Sequence, residues 1–191
     1  MEVIEMISNL YTKRLHLRKI TTDDSSSLFR IWSDPEVTKY MNINNFTEEK
    51  QAIDMIYFLE NLAKDNKAIR YSIIDIATNE IIGSCGYNVI DFENGKTEIG
   101  YEIGKLYWGM GYGPEAISEL VNSAFNTLSL NRVEAKVEPQ NVNSIKVLQK
   151  VNFIFEGTLR QSEKSKGKYI DLNIYSILKS DHSSHIGGKL C

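Results

Sequence analysis

Three glycines within five positions predict a site for a phosphate group. They stand in the stretch YWGMGYGPEA, residues 107–116, which leads from a predicted strand into a predicted helix. Glycines let backbone N–H groups converge on an anion, and a helix N-terminus adds unpaired N–H groups and the positive end of its dipole. A sharp turn that only requires glycine would produce the same pattern. No Gly-Lys-Ser or Gly-Lys-Thr follows, so the stretch does not predict a nucleotide-hydrolysing loop.

The cysteines and histidines predict neither a covalent nor a metal-dependent reaction. Cys85 lies in an apolar predicted strand, Cys191 ends the chain, and neither has a neighbouring histidine to activate it. His16 falls in a predicted strand, while His182 and His185 occupy a polar tail without carboxylate or cysteine partners. We therefore predict no metal site and no disulfide framework.

The composition argues against several partners. The net charge of −3 and the pI near 5.7 do not suit a surface that binds nucleic acid. The first ten residues, MEVIEMISNL, carry acids where a signal peptide would carry lysines. No apolar run approaches the roughly 18 residues of a membrane span. We expect a cytoplasmic protein with neither a nucleic acid nor a membrane as its partner.

The predicted elements alternate between strands and helices. Strands are expected at 15–20, 71–76, 81–90, 97–104, 132–138, 153–159 and 168–178, and helices at 22–32, 47–63, 116–128 and 143–151. This order predicts a mixed α/β fold rather than a doubly wound parallel sheet. Without linkers or repeats, residues 1–181 should form a single domain and residues 182–191 a disordered tail.

The strand at 97–104 alternates between two faces. Ile99, Tyr101 and Ile103 point one way, and the intervening Glu98, Gly100, Glu102 and Gly104 point the other. The helix at 116–128 carries a broad apolar stripe of period 3.6, and Asn143 or Ser144 is a candidate cap for the last helix.

Longer segments resemble a known family. They are LYTKRLHLRKITTDDSSSLFRIWSDPEVTKY, IGYEIGKLYWGMGYGPEAISELVNSAF, NRVEAKVEPQNVNSIKVLQKVNFIFEGTLRQ and YIDLNIYSIL. Together they resemble the acetyl-CoA-dependent GNAT N-acetyltransferases of the ribosomal-protein, or RimJ/RimL, type. The resemblance extends from Leu10 to Ser180.

The resemblance implies a fold and a co-substrate, acetyl-CoA. Its sheet would be strongly bent, mostly antiparallel, splayed between the fourth and fifth predicted strands, and flanked by about four helices. The backbone of Ile103 would pair with the pantetheine arm in the gap, and Asn141 and Ser144 would lie beside that arm. The pyrophosphate would be held by Trp108, Gly109, Met110, Gly111, Tyr112 and Gly113.

Two residues depart from the family pattern. Trp108 stands where the phosphate loop often begins with Gln or Arg, which affects a side-chain contact to phosphate but not the backbone cradle. Asn152 replaces the usual glycine before Phe153. Because Asn adopts left-handed backbone conformations more readily than other non-glycine residues, the turn can still form.

Acetyl transfer from a thioester to an amine needs a neutral nucleophile, oxyanion stabilisation and a proton for the thiolate. Backbone N–H groups near Ile103 could stabilise the oxyanion. Leu148 occupies the position of the tyrosine that many GNAT enzymes use as the acid. One turn earlier lies Ser144, and the resemblance to the ribosomal-protein branch implies a serine acid at that point. It implies Glu163, in EGTLRQSE, as the base. Glu102 on the splayed strand is the alternative base.

The acceptor is left open by the sequence. The first hypothesis is a protein N-terminal α-amine, possibly of a ribosomal protein. The second is a small amine such as a polyamine, amino acid or antibiotic, and the third is an acetyl-CoA-binding module without catalysis. Four aromatic residues could line an acceptor pocket or belong to the core: Tyr11, Trp32, Tyr40 and Phe46. The oligomeric state is also open, with a homodimer as one possibility.

Overall fold

A computed structural model describes residues 7–182 of the chain. The strands are β1 (Asn9–Tyr11), β2 (Leu15–Lys19), β3 (Ile69–Asp75), β4 (Glu80–Asp91), β5 (Lys96–Ile103), β6 (Arg132–Val137), β7 (Ile154–Ser165) and β8 (Lys168–Leu178). The α-helices with both ends inside this range are α1 (Ser25–Trp32), α2 (Pro35–Thr38), α3 (Glu49–Lys64), α4 (Tyr112–Asn126) and α5 (Val142–Lys150).

All eight strands form one mixed sheet in the order β1-β2-β3-β4-β5-β6-β8-β7. Every neighbouring pair is antiparallel except β5 and β6. These two pair only where residues 96–98 lie beside residues 132–134, and they diverge beyond that point. The mostly antiparallel sheet and its splay between the fourth and fifth predicted strands are therefore confirmed.

Helices pack on both faces of the sheet because the strand residues alternate. Ile99 and Ile103 of β5 join the larger apolar cluster, which includes the inner faces of α4 and α5. The opposite face is covered by α1 and α3, whose buried residues form a second cluster around Leu28, Trp32 and Ile56. The gap between β5 and β6 therefore lies in a sheet that has a separate apolar cluster on each face.

The four long predicted helices are present, and the structure adds β1 and α2. Strand β1 has three residues, too few for a periodic pattern. The Asp34-Pro35 pair ends α1 as predicted, but it also begins α2, because the Asp34 carboxylate accepts the Glu36 N–H at 2.9 Å and proline suits a first helical position.

Two local predictions at α5 have different outcomes. Asn152 adopts a left-handed conformation, with φ of +65°, as expected from its replacement of glycine. The cap prediction is wrong: Asn141 caps α5, and its side-chain oxygen accepts the Ser144 N–H at 3.2 Å. Asn141, two residues before the first candidate, caps the helix because its side chain reaches forward to an unpaired N–H of the first turn.

The ends of the chain lie outside the described range. The predicted disordered tail at 182–191, apart from His182, belongs to this part, as do His185 and Cys191. Among residues 7–182 no helix is long and apolar enough to cross a membrane, and no three His, Cys, Asp or Glu residues gather as metal ligands. The single domain and the absence of a metal stay predictions.

Candidate active site

The glycine stretch forms an open loop at the start of α4. Gly109 and Gly111 have φ of +78° and +81°, and Gly111 is the N-cap residue of the helix. Within the described chain, the backbone N–H groups of residues 109–113 donate to no protein acceptor. Clustered N–H groups of this kind at a helix N-terminus can bind an anion. The loop therefore has the donor set that a phosphate requires.

Arg14 contacts three residues of the glycine loop and the first turn of α4. This side chain donates to the Met110 carbonyl at 3.0 Å, forms an ion pair with Glu115 at 2.6 Å and stacks over the Tyr112 ring. The Tyr112 hydroxyl in turn donates to Asp75 at 2.6 Å, and this hydrogen bond is the largest influence lowering the pKa of the Asp75 carboxyl. These contacts hold the loop in shape without occupying its N–H groups.

A cavity of about 620 Å³, here called the coenzyme-side cavity, lies between α4 and α5. Of the residues predicted to hold acetyl-CoA, it is lined by Ile103, Trp108, Gly109, Gly111, Tyr112, Gly113, Asn141 and Ser144. Met110 does not line it, because its carbonyl faces Arg14 and its side chain is exposed.

Trp108 contacts the splayed strand rather than a phosphate position. Its indole N–H donates to the Ile103 carbonyl at 2.7 Å. The Gly104 N–H donates to Ile82 on β4, so the alternating backbone groups of Tyr101 and Ile103 face the gap instead. The Ile103 carbonyl belongs to the backbone predicted to pair with pantetheine, and it points into the gap. There it accepts the hydrogen bond from the Trp108 indole.

A second cavity of about 370 Å³, here called the acceptor-side cavity, is lined by residues of α1, α3 and the splayed strands. Glu163 and Trp32 line this cavity but not the coenzyme-side cavity. Six residues line both cavities: Tyr40, Met41, Tyr101, Glu102, Asn141 and Ser144. The two cavities therefore meet at the splay, where Ser144 and Glu102 both lie.

Ser144 lies in the first turn of α5 and receives a hydrogen bond from Tyr101. The Tyr101 hydroxyl donates to the Ser144 Oγ at 3.1 Å. Burial raises the pKa of Tyr101 to about 12, so the phenol remains a donor throughout the neutral range. With its Oγ accepting from Tyr101, Ser144 can direct its own proton elsewhere.

Glu102 is buried in a polar network that spans four elements, α1, β3, β4 and β5. One carboxylate oxygen accepts the Trp32 indole N–H at 2.9 Å and the Ser84 hydroxyl, and the other pairs with the Arg70 guanidinium. Both oxygens are therefore engaged. Three donors occupy this carboxylate, so Glu102 is less available as a general base than a carboxylate with fewer partners.

Glu163 lies in strand β7, not in the loop that the sequence suggests. The register of β7 against β8 jumps between Leu159 and Glu163, so residues 160–162 form an irregular bulge. Beyond it, the Glu163 side chain is 41% exposed and its Oε1 lies 3.9 Å from the Lys136 Nζ. Lys136 pairs more closely with Glu98, at 2.9 Å, and no hydrogen bond to the Glu163 carboxylate is present among residues 7–182.

The aromatic candidates divide between the cavity and other places. Trp32 and Tyr40 line the acceptor-side cavity, and the Tyr40 hydroxyl donates to the Gln140 carbonyl at 3.1 Å. Tyr11 instead stacks on His16 at the surface, and Phe46 packs edge-on against Trp32. The alternation of residues 97–104 predicts that Tyr101 shares a face with Ile99 and Ile103, but no local pattern predicts its contact with Ser144, 43 residues away.

The nucleophilic cysteine route has no support in this geometry. Cys85 is fully buried in β4, where desolvation raises its pKa to about 12. A buried, protonated thiol is a poor nucleophile.

A family model described as an acetyltransferase (GNAT) domain matches residues 14–154. The chain belongs to the GNAT acetyltransferase family. Its relatives include the uncharacterized N-acetyltransferase p20 of Bacillus licheniformis, with 50% identity over 93% of this chain and 99% of that protein. The ribosomal-protein-serine acetyltransferase of Escherichia coli is 32% identical over 51% of this chain and 55% of its own length.

Solved structures agree with this assignment at the level of the fold. The RimL ribosomal L7/L12 α-N-protein acetyltransferase in complex with coenzyme A superposes with a TM-score of 0.80 at 20% identity, covering 90% or more of both chains. The predicted GNAT family is confirmed, with ribosomal-protein acetyltransferases among the similar proteins, and this GNAT protein is an N-acetyltransferase.

The first test of the site concerns Gly111. Valine at φ of +81° is strongly disfavoured, so Gly111→Val should deform the loop. We expect the dissociation constant for acetyl-CoA to rise roughly tenfold or more, equivalent to one lost hydrogen bond to a charged group. Isothermal titration calorimetry measures this change, and circular dichroism checks that the variant is folded.

Gly111→Asn is the matched control. A Cβ at this position would meet only the Arg14 guanidinium, at 3.5 Å, and asparagine tolerates a positive φ. Near-normal affinity for the asparagine variant would attribute the valine effect to backbone conformation. Normal affinity in a folded Gly111→Val protein would mean that the coenzyme binds elsewhere.

Proposed function

We propose that this GNAT enzyme transfers an acetyl group from acetyl-CoA to the N-terminal α-amine of a polypeptide. The amine would attack the thioester directly in a ternary complex. The observation that carries the proposal is the pair of cavities that enter the splay from two sides and share Tyr101, Glu102 and Ser144. Each substrate would have its own entrance, so neither needs to leave before the other binds.

Acetyl-CoA suits the coenzyme-side cavity. The free N–H groups of residues 109–113 would bind the pyrophosphate, and the helix dipole of α4 would favour its negative charge. The backbone of Ile103 and the side-chain amide of Asn141 would hold the pantetheine arm. The backbone N–H groups of Tyr101 and Ile103, which face the gap, would stabilise the developing oxyanion.

Glu163 would act as the general base on the acceptor side. Glu163 lines the acceptor-side cavity, away from the glycine loop. Its carboxylate has fewer hydrogen-bond and ion-pair contacts than that of Glu102. An α-amine has an ordinary pKa of about 7.7–8.0, so near neutral pH a fraction of the acceptor is already unprotonated. The carboxylate has to take a proton only from the remaining acceptor molecules. The E. coli relative, by its name a ribosomal-protein-serine acetyltransferase, supports an acceptor of this kind.

Ser144 would act as the acid on the coenzyme side. Its hydroxyl proton would pass to the departing thiolate while the Tyr101 hydroxyl, donating at 3.1 Å, holds the Ser144 Oγ in position. Because a thiolate is already a fair leaving group, this help is worth less than the base.

Ser144→Ala should therefore lower kcat by roughly tenfold, less than the usual range of general acid catalysis. Tyr101→Phe should have a smaller effect of the same kind, with the affinity for acetyl-CoA unchanged. If Tyr101 acts only through Ser144, the double variant will be as slow as Ser144→Ala alone. Additive losses in the double-mutant cycle would refute this positioning role.

Direct attack predicts that no acetylated enzyme accumulates. Mass spectrometry of the enzyme mixed with acetyl-CoA alone should find the unmodified mass, and Cys85→Ala should retain turnover because the buried thiol takes no part. A stoichiometric acetyl adduct that disappears when acceptor is added would overturn the ternary-complex mechanism.

A thiol-release assay tests the acceptor class. Acetyl-CoA is supplied with peptides bearing free N-termini, the same peptides with blocked N-termini, polyamines and aminoglycosides. We expect turnover only with free N-termini, and kcat/KM should rise up to about pH 8 and then level as the α-amine deprotonates. Turnover with polyamines or aminoglycosides but not with peptides would replace this proposal with the small-amine alternative.

A further inference from the structure

One wall of the acceptor-side cavity is apolar. It consists of Met41, Ile43, Met55 and Leu59, here called the methionine wall. All four side chains are partly buried, and all pack against the second apolar cluster, which supports them from behind. On α3, Met55 and Leu59 are one turn apart and therefore share a helix face.

Carboxylates and a lysine from β5, β6 and β7 line the same cavity, and Arg70 of β3 lies there too. Glu98, Lys136 and Glu163 form a connected group there, with Lys136 between the two carboxylates at 2.9 and 3.9 Å. Glu138 also lines the cavity. The cavity is thus amphipathic, with carboxylates on one set of elements and an apolar wall on another.

An α-amine acceptor has the same two-sided chemistry. Its ammonium must reach the carboxylates and the splay, while its own first side chain has to lie elsewhere in the cavity. At about 370 Å³, the cavity is near the lower end of ligand sites, so it suits the first residue or two of a chain rather than a long segment. Methionines adapt to side chains of different shapes.

We propose that the methionine wall selects acceptors whose first residue has an apolar side chain. This inference rests on the proposed function, because it assumes an N-terminal α-amine acceptor. An apolar side chain on the wall would displace water from the thioether and aliphatic surfaces. A charged or strongly polar side chain would lose hydration there without gaining a hydrogen bond.

A peptide series tests the selection. The peptides are identical except for the first residue, which is Met, Leu, Phe, Ser, Asp or Lys. We expect kcat/KM to be at least tenfold higher for the three apolar residues, a discrimination that apolar pockets commonly achieve. The difference should appear mainly in KM, because the wall would bind the ground state and the transition state equally.

Two variants of α3 provide the structural control. Met55→Glu places a charge on the wall and should reduce or reverse the preference for apolar residues. Tyr57→Glu makes the same type of change at a position that is 55% exposed and lies outside both cavities, so the preference should stay as in the unmodified protein. Acetyl-CoA affinity, measured in parallel, should be unchanged in both.

The outcomes separate this inference from the proposed function. Acetylation of all six peptides at similar rates would overturn the selection while the function stands. An apolar preference that Met55→Glu leaves unchanged would also overturn the selection, because the methionine wall would then not contact the side chain of the first residue. No acetylation of any peptide, with turnover on small amines, would refute the proposed function itself.

Discussion

Glu163→Gln should lower the rate of acetylation by roughly 10²-fold or more, the usual scale for the loss of a general base. The substitution keeps the size and shape of the side chain and removes its ability to accept a proton. Because Glu163 lines only the acceptor-side cavity, affinity for acetyl-CoA should remain nearly intact. Steady-state kinetics and calorimetry with acetyl-CoA measure the two quantities separately.

Glu93→Gln is a suitable control for this prediction. Glu93 is exposed in the turn between β4 and β5, outside both cavities, so its replacement removes one negative charge without touching the site. Its rate should equal that of the unmodified enzyme. Near-normal turnover of Glu163→Gln, with collapse of Glu102→Gln, would move the base to the splayed strand.

Glu102→Gln should have its largest effect on stability. The Arg70 and Glu102 side chains are 12% and 4% exposed, and the glutamate also accepts from Trp32 and Ser84. Removing one partner of a buried ion pair leaves the other charge without compensation, at a cost of about 3 kcal/mol. For a chain of this size, the melting temperature should fall by roughly 6–12 °C.

A double-mutant cycle distinguishes this structural role from catalysis. Arg70→Met alone should also destabilise the protein, and the combined Glu102→Gln and Arg70→Met variant should recover part of the loss, because no unpaired buried charge remains. If both single variants unfold at the normal temperature, the network does not hold the splayed strand. The structural role assigned to Glu102 would then be refuted.

Much of the site was predictable because its signals are local in sequence. Gly109 and Gly111 precede a helix with a clear apolar stripe, and both adopt the positive φ that glycine favours. The alternation of residues 97–104 correctly predicts that Glu102 faces away from Tyr101 and Ile103. Family resemblance then added the splay, which no periodicity indicates.

The roles of individual residues depend on contacts between distant segments. Glu102 meets Arg70 and Trp32, which lie 32 and 70 positions away, and only those contacts distinguish its environment from that of Glu163. A carboxylate has the same sequence signature whether its oxygens are engaged or free. The difference arises when β4 pairs with both β3 and β5 and α1 packs on this face of the sheet, steps that local patterns do not encode.

The sequence by itself determined the order of the main elements, the α/β class and the glycine loop that begins α4, because backbone preference and side-chain periodicity act over a few residues. Tertiary structure alone decided that Glu163 follows a bulge in β7, that Tyr101 donates to Ser144, and that two cavities meet at the splay. These features depend on strand register and on packing between layers, which bring together side chains far apart in the chain.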